Sequence, residues 1–242
     1  QFSPSTKWMG KAVFTTGAID GDAKGKLATE YAYMLMAHTS FTGKDHLFVS
    51  LDQGNHDDLV LDSAMDMAMS SVTVSSLYYQ FPIGDFTVTA GPLMEQDTVI
   101  SATLSQYSDN FRISNQPYSA NGTETGAGVG ATYFFENDWN ASLAFLGADS
   151  TDADNGFLTR EGDDVMTASL GYDGESWGGG VILSTQDDNG SDAGYDSMGY
   201  GIYWIPEGNY PTFSFGFDTK DNENSNNEEA WTIAADYEGW GP

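Results

Sequence analysis

Aromatic residues flank the short turns of this chain so regularly that few folds can accommodate them. Phe41 precedes a turn at 42–45, and the flanking pairs at later turns are Phe81 and Phe86, Phe135 and Trp139, Tyr172 and Trp177, Trp204 and Tyr210, and Tyr237 and Trp240. Aromatic rings collect where an apolar phase meets water, because the ring enters the apolar phase while its polar tip stays hydrated. The pattern therefore indicates strands that cross a membrane.

Twelve segments alternate apolar and polar residues with a period of two, as β-strands with two different faces do. They are Thr6–Ala18, Leu27–Ser40, His46–Leu51, Val72–Phe81, Phe86–Gly91, Gly126–Phe135, Trp139–Ala148, Val165–Tyr172, Trp177–Gln186, Ser197–Ile205, Thr212–Phe217 and Ala230–Tyr237. Short turns alternate with long connections between them, which is typical of outer-membrane barrels. The sequence predicts an all-β fold, a transmembrane antiparallel β-barrel that forms a single domain over residues 1–242.

The two faces of the predicted strands differ as lipid and a polar lumen require. Phe213, Phe215 and Phe217 share one face of the eleventh segment, and the positions between them are polar or glycine. Lipid on the outside and water on the inside select this alternation. A soluble β-sandwich or barrel that binds carbohydrate is the alternative prediction; it explains the alternation but not the aromatic residues at the turns.

Charged residues avoid the apolar face. Only Glu30 and Asp236 are acidic residues within the predicted strands, and both lie on the polar face. Most other acidic residues fall in six long connections, 19–26, 52–71, 93–125, 149–164, 187–196 and 218–229. A charge that faces hydrocarbon is costly, so charges within strands should face the lumen. We expect four side chains to line the lumen wall: Lys7, Lys11, Glu30 and His38.

The composition excludes several classes of function. The chain has 36 acidic and 8 basic residues, so nucleic acid is not an expected partner, because phosphates require lysine and arginine. It has no cysteine, which excludes disulfides and thiolate metal sites. Three histidines and no known catalytic motif predict that the chain is not an enzyme, and no cofactor is expected. Whether the acidic loops bind divalent cations stays open, and no metal ligands are assigned.

The connection 93–125 is too long to be a simple hairpin loop, and its apolar and aromatic content is unlike that of a disordered segment. Folded into the lumen, it would narrow a channel. Its charged residues Glu95, Asp97, Asp109 and Arg112 are then the predicted constriction. The alternative is that the connection packs over the rim or against a neighbouring subunit.

Four segments carry a resemblance to a known family. Residues Ser5–Phe14, Thr39–Leu47, Leu77–Asp85 and Tyr107–Arg112 resemble cyanobacterial outer-membrane porins, a group similar to the carbohydrate-selective OprB porins. The resemblance implies a homotrimeric passive channel in the outer membrane of a Gram-negative-type bacterium, a cyanobacterium, with 93–125 as the constriction. Such porins have an N-terminal S-layer-homology domain, a coiled coil and a longer barrel. We therefore expect N-terminal and C-terminal portions to be missing from this chain, which would then be part of a larger barrel. The alternative is a closed barrel of about twelve strands, because both chain ends fall on the same side.

The sequence thus predicts a porin for passive diffusion of small hydrophilic solutes and ions, with the lipid bilayer as its other partner. The solute is not identified. A carbohydrate channel would stack sugars on lumen aromatics, for which Phe48, Tyr78 and Tyr118 are candidates. An ion channel would depend on the charged residues of the constriction and the wall.

Overall fold

The structure is a computed structural model, and it describes residues 5–18, 25–56, 67–106, 125–148, 150, 156–157, 159, 162–187 and 194–237. Twelve β-strands and one short 3-10 helix, Gln96–Val99, make up its regular structure. The strands are β1 Ser5–Gly17, β2 Ala28–Ser40, β3 His46–His56, β4 Met67–Ile83, β5 Phe86–Glu95, β6 Thr125–Phe134, β7 Trp139–Gly147, β8 Asp164–Asp173, β9 Trp177–Gln186, β10 Tyr195–Trp204, β11 Thr212–Asn222 and β12 Glu228–Asp236. The predicted all-β architecture is confirmed.

Hydrogen bonds join the strands in chain order, and each pair with a determined register is antiparallel. The chain forms two compact units. The first contains β1 to β3 and β4 as far as Tyr79, and the second contains the rest of β4, β5 to β12 and residues 96–106. Within the described part of the chain, no helix has the length and hydropathy needed to cross a membrane.

The large apolar side chains of the second unit lie on the exposed face of its strands. Leu143 is 43% exposed and Ile233 is 70% exposed, whereas Ser169 and Ser214 on the opposite face are 7% and 4% exposed. A protein surrounded by water buries apolar side chains and exposes polar ones. The reversed distribution is the one that a lipid surrounding selects.

Aromatic side chains form a continuous row at the short-turn ends of β7 to β11. The ring centroids of Trp139 and Tyr172 are 5.5 Å apart, and those of Tyr172 and Trp177 are 4.6 Å apart. Trp177 pairs with Trp204 in the register, and the Trp204 ring lies 6.1 Å from that of Phe213. The aromatic residues seen at successive turns of the sequence are therefore neighbours across the sheet.

Strands of the first unit keep the alternation that the sequence predicts. Lys7 of β1 pairs with His38 of β2, which pairs with Phe48 of β3. Trp8 and Phe14 lie on the opposite face of β1 and are 60% and 79% exposed. We call the face with Lys7 and His38 the polar face of the first unit, and the face with Ser169 and Ser214 the polar face of the second unit.

Four strands run at least four residues further toward the long connections than predicted. β3 extends to His56, β5 to Glu95 and β11 to Asn222, and β4 begins at Met67. The prediction that only Glu30 and Asp236 are acidic residues within strands is therefore wrong: Asp52 and Asp218 also lie in strands, 2% and 0% exposed. Residues 52–55 are Asp, Gln, Gly and Asn, polar or small at every position. Apolar and polar residues do not alternate in such a stretch, so the sequence pattern cannot show that the strand continues through it.

Candidate functional site

Residues 96–106, which we call the strap, cross the polar face of the second unit. At its start the Gln96 side-chain amide donates to Thr167 Oγ1 of β8 at 3.0 Å, and Thr132 Oγ1 of β6 donates to the carbonyl oxygen of Val99 at 3.1 Å. At its end the backbone N–H of Gln106 donates to Ser214 Oγ of β11 at 3.0 Å. Six strands at the usual spacing span roughly 24 Å, a distance that an extended segment of this length covers.

The middle of the strap is bound by serine hydroxyls. The backbone N–H of Ser101 lies 3.3 Å from Ser142 Oγ of β7 and 3.3 Å from Ser169 Oγ of β8, and these two hydroxyls are 2.6 Å apart. Within the strap, Val99 and Leu104 are 4% and 5% exposed. Because wall hydroxyls satisfy its backbone groups and its apolar side chains are buried, the strap is a packed part of the second unit.

The strap packs against a row of glycines in β8 to β11, which we call the seat of the strap. Gly171, Gly180, Gly201 and Gly216 are successive partners across β8 to β11. A Cβ at Gly171 would lie 2.9 Å from Cα of Ala102, and a Cβ at Gly180 would lie 2.9 Å from its Cβ. A Cβ at Gly201 would collide with the carbonyl oxygen of Leu104. The strap thus approaches the wall closely because these three positions lack side chains.

Two predicted constriction residues lie where the strap begins: Glu95 is the last residue of β5, and Asp97 is the second residue of the strap. Both side chains are exposed as a whole, but protein atoms around the Asp97 carboxyl group remove part of its hydration. The backbone N–H of Glu95 donates to Thr98 Oγ1 at 3.1 Å, which holds the first turn of the 3-10 helix. The surrounding protein removes hydration from Asp97, Glu95 repels its charge, and together they raise the pKa of Asp97 to about 6. Asp97 therefore changes charge in mildly acidic solution.

The four predicted wall residues share the polar face of the first unit. Lys7 and Lys11 are exposed on β1, opposite His38 and Met34, and Glu30 of β2 is 6% exposed, opposite Thr15. Asp52 was not predicted to belong to this face. It lies opposite Met34 and accepts a hydrogen bond from Ser50 Oγ at 2.8 Å. This face thus carries charges of both signs, but whether it lines a pore stays a prediction.

The sequence did not indicate that His46 lies beside His38. His38 Nδ1 and His46 Nε2 are 2.7 Å apart, and their rings are within 3° of parallel. The Phe48 ring contacts the edges of both, with centroids 5.1 Å and 6.0 Å away, and stacks on Tyr78 at 5.0 Å. Only the positions of both histidines next to one turn could have suggested the contact.

Three residues singled out in the sequence, Asp109, Arg112 and Tyr118, lie outside the described residues. The assignment of Asp109 and Arg112 to the constriction, and of Tyr118 to sugar stacking, therefore stays a prediction. Within the described ranges, no group of three or more histidine, aspartate or glutamate side chains is arranged to hold a metal ion.

Comparisons with known proteins identify the fold. No family model matches the chain, and no curated protein matches it. Among solved structures it is similar to a triple mutant of the Rh. blastica porin, with 12% identity and a TM-score of 0.52, over 98% of this chain and 91% of that one. A second mutant of that porin has 10% identity and a TM-score of 0.49, over 98% and 91%. A loop-deletion mutant of OmpT, an outer membrane protein of Vibrio cholerae, has 10% identity and a TM-score of 0.44, over 96% and 87%.

Only the similarity to the triple mutant of the Rh. blastica porin is used to assign the fold, because its TM-score is above 0.5. With a TM-score of 0.52 at 12% identity, it concerns the fold and not the solute or the residues of a site. The chain has the fold of outer-membrane porins, which confirms the predicted transmembrane antiparallel β-barrel. Function does not follow from a shared fold, and has to be argued from the site.

Proposed function

We propose that the chain is an outer-membrane porin through which small hydrophilic solutes and ions diffuse passively. The observation that carries the proposal is a strap bound to the polar face of strands whose opposite face is apolar and exposed. Lipid accounts for the exposed apolar face, and a water-filled lumen accounts for the polar one. A segment bound to the lumen side narrows the path that remains for solute.

The proposed constriction consists of residues 93–125, with Glu95, Asp97, Asp109 and Arg112 as its charges. The wall residues Lys7, Lys11, Glu30 and His38 contribute the charges of the proposed lumen wall. The contacts of the strap with β6, β8 and β11 support this assignment, because they hold the segment that carries Asp97 on the polar face of the second unit.

Small ions and polar nutrients are the proposed solutes, since charged side chains outnumber the aromatic ones proposed to stack sugars. Phe48 and Tyr78 lie on the polar face of the first unit, but they stack on each other at 5.0 Å, so each covers a face that a sugar would need. The homotrimeric state, the cyanobacterial outer membrane and any carbohydrate transport are proposals that rest on the resemblance of the four sequence segments.

Conductance in planar bilayers under a salt gradient tests the proposal. We expect discrete steps with mild cation preference that weakens as salt rises, because the many acidic residues of the loops attract cations at low ionic strength. Arg112→Ser should increase cation preference, and by more than neutralising a loop aspartate, as in Asp188→Asn, decreases it. Failure to partition into detergent, together with no conductance, would favour the soluble carbohydrate-binding alternative. Strong anion selectivity unchanged by Arg112→Ser would contradict the constriction assignment.

A further inference from the structure

The contact between His38 and His46 is a hydrogen bond between two nearly coplanar imidazoles. An N–N distance of 2.7 Å and a centroid separation of 4.9 Å require the two nitrogens to point at each other along the line between the rings. One nitrogen must then carry a proton and the other a lone pair. A metal ion does not fit between nitrogens this close and head-on, because each imidazole–metal bond is itself about 2 Å long. The geometry therefore favours a shared proton.

The surroundings of His38 make charging of the pair unfavourable. Its other ring nitrogen, Nε2, is buried and has no hydrogen-bond partner in the described part of the chain. A neutral His38 can place its proton on Nδ1, donate to His46, and leave only a lone pair at Nε2. A charged His38 would instead bury an N–H without an acceptor. If both rings were charged, two N–H groups would also face each other, and the contact would break.

The neighbouring charges reinforce this preference. Lys7 lies directly opposite His38 on the polar face of the first unit, so its charge adds to the repulsion of an imidazolium. The carboxylate of Asp45, next to His46 in the chain, accepts hydrogen bonds from Ser40, Thr42 and Tyr79. Among the described residues of the first unit, the other charged or titratable groups on the polar face and the adjoining turn are Lys11, Glu30, Lys44, Asp52 and Tyr78.

The carboxylates on that face are distant from the pair. Asp52 is four residues beyond Phe48 along β3, about 13 Å at the usual rise, and Glu30 is eight residues from His38 along β2. Beyond about 8–10 Å an exposed charge is largely screened at ordinary salt. Of the charged residues in the strands of this face, Lys7 is therefore the nearest to His38 in the register.

We propose that His38 and His46 together set the ion selectivity of the polar face according to pH. At neutral pH the pair is uncharged and joined by its hydrogen bond. In acid both rings are protonated, the bond breaks, and two positive charges are added beside Lys7. The polar face then attracts cations less and anions more. This inference rests on the proposed channel function, and it adds His46 to the residues that determine selectivity.

Reversal potentials in planar bilayers at pH 7.5 and pH 5 test the proposal. Asp97→Asn is included in every variant, so that titration of Asp97 does not contribute to the change. We expect acidification to lower the ratio of cation to anion permeability about tenfold for each charge added to the pair. A unit charge about 6 Å from an ion in water lowers the local cation concentration about threefold and raises the local anion concentration about threefold. His38→Gln and His46→Gln should each remove about half of this change on a logarithmic scale, because one imidazole remains, and the double variant should remove it entirely. His56→Gln, at the third histidine of the chain, should retain it. An undiminished change in both His38→Gln and His46→Gln would overturn the proposal.

Nuclear magnetic resonance of protein with 15N-labelled histidine, in detergent micelles, detects the pair without relying on conductance. At pH 7.5 we expect a scalar coupling between Nδ1 of His38 and Nε2 of His46 across the hydrogen bond, and its loss at pH 5 and in His46→Gln. Absence of this coupling at pH 7.5 would overturn the pair itself. If the unaltered chain showed no conductance at any pH, the channel function would be wrong, whereas the coupling would still support the hydrogen-bonded pair.

Discussion

The two units present polar faces of opposite character. In the first unit this face carries long charged and aromatic side chains, such as Lys7, Lys11 and Phe48, and both lysines are exposed. In the second unit the same kind of face carries glycine and serine, and the strap covers it. A β-strand offers every second side chain to one face, so the size of those side chains decides what can approach the backbone.

The difference shows that a polar face does not always stay exposed to solvent. The size of its side chains also matters. A face of small residues leaves its backbone accessible to another segment, whose own N–H and carbonyl groups need partners that serine and threonine hydroxyls provide. A face of long charged residues keeps other segments away and stays open to ions. We infer that the first unit contributes charge to the proposed channel and that the second contributes the seat of its constriction.

The largest effect is expected when a lysine is introduced on the apolar face of the second unit. The same substitution on the polar face of the first unit should cost much less stability. Leu143→Lys places a charge at mid-strand on the exposed apolar face of β7 and should cost roughly 2–4 kcal/mol of the free energy of unfolding, because lysine would face hydrocarbon. Met9→Lys, at a position of β1 that is 53% exposed between Lys7 and Lys11, should cost far less. Urea unfolding in lipid vesicles measures both. Equal costs would mean that lipid does not surround the apolar face.

A smaller effect is expected at the seat of the strap. Gly201→Ala adds a methyl group where the carbonyl oxygen of Leu104 lies, and overpacking of this kind should cost about 1–3 kcal/mol of the free energy of unfolding. It should also decrease single-channel conductance, because the strap is pushed off the strands into the path that remains for solute. Gly216→Ala is the matched control in the same row, because its Cβ would lie 3.9 Å from the nearest atom, the carbonyl oxygen of Tyr200. If both variants kept the conductance of the unaltered chain, the strap would not limit the flow.

The smallest effect concerns the charge at the start of the strap. Asp97 has a pKa of about 6, so it is ionised at pH 7.5 and neutral at pH 5, and acidification should remove part of the cation preference. Asp97→Asn should lose this part of the pH dependence, as reversal potentials would show. A raised pKa means that the folded state disfavours the charged form. The variant should therefore be the more stable form at pH 7.5, and the difference should vanish below about pH 4.

If Asp97→Asn showed the same pH dependence of the reversal potential as the unaltered chain, Asp97 would lie away from the path of the ions. Matched measurements on Glu95→Gln serve as a control, because removal of that neighbouring charge should lower the pKa of Asp97 toward its usual range and shift its titration to lower pH. The stability of each variant at pH 4 and pH 7.5 shows whether the substitution acts through charge or through packing.

The sequence by itself determined the strands, their two faces and the position of the aromatic residues. These features are local: a period of two and the residues of a short turn are visible within about ten residues. The four wall residues Lys7, Lys11, Glu30 and His38 were assigned to one face on this basis, and the register places them there. The strand ends were less well predicted, because alternation fades where both faces are polar.

Only the tertiary structure decided where the strap lies and which side chains meet. The N–H of Ser101 bonds to residues 41 and 68 positions away, and that of Gln106 to one 108 positions away. No local pattern encodes such distances, because the partners are chosen by the register of six strands and by which positions lack a side chain. The contact between His38 and His46 has the same origin. It depends on a diagonal placement across two strands, which alternation allows but does not specify.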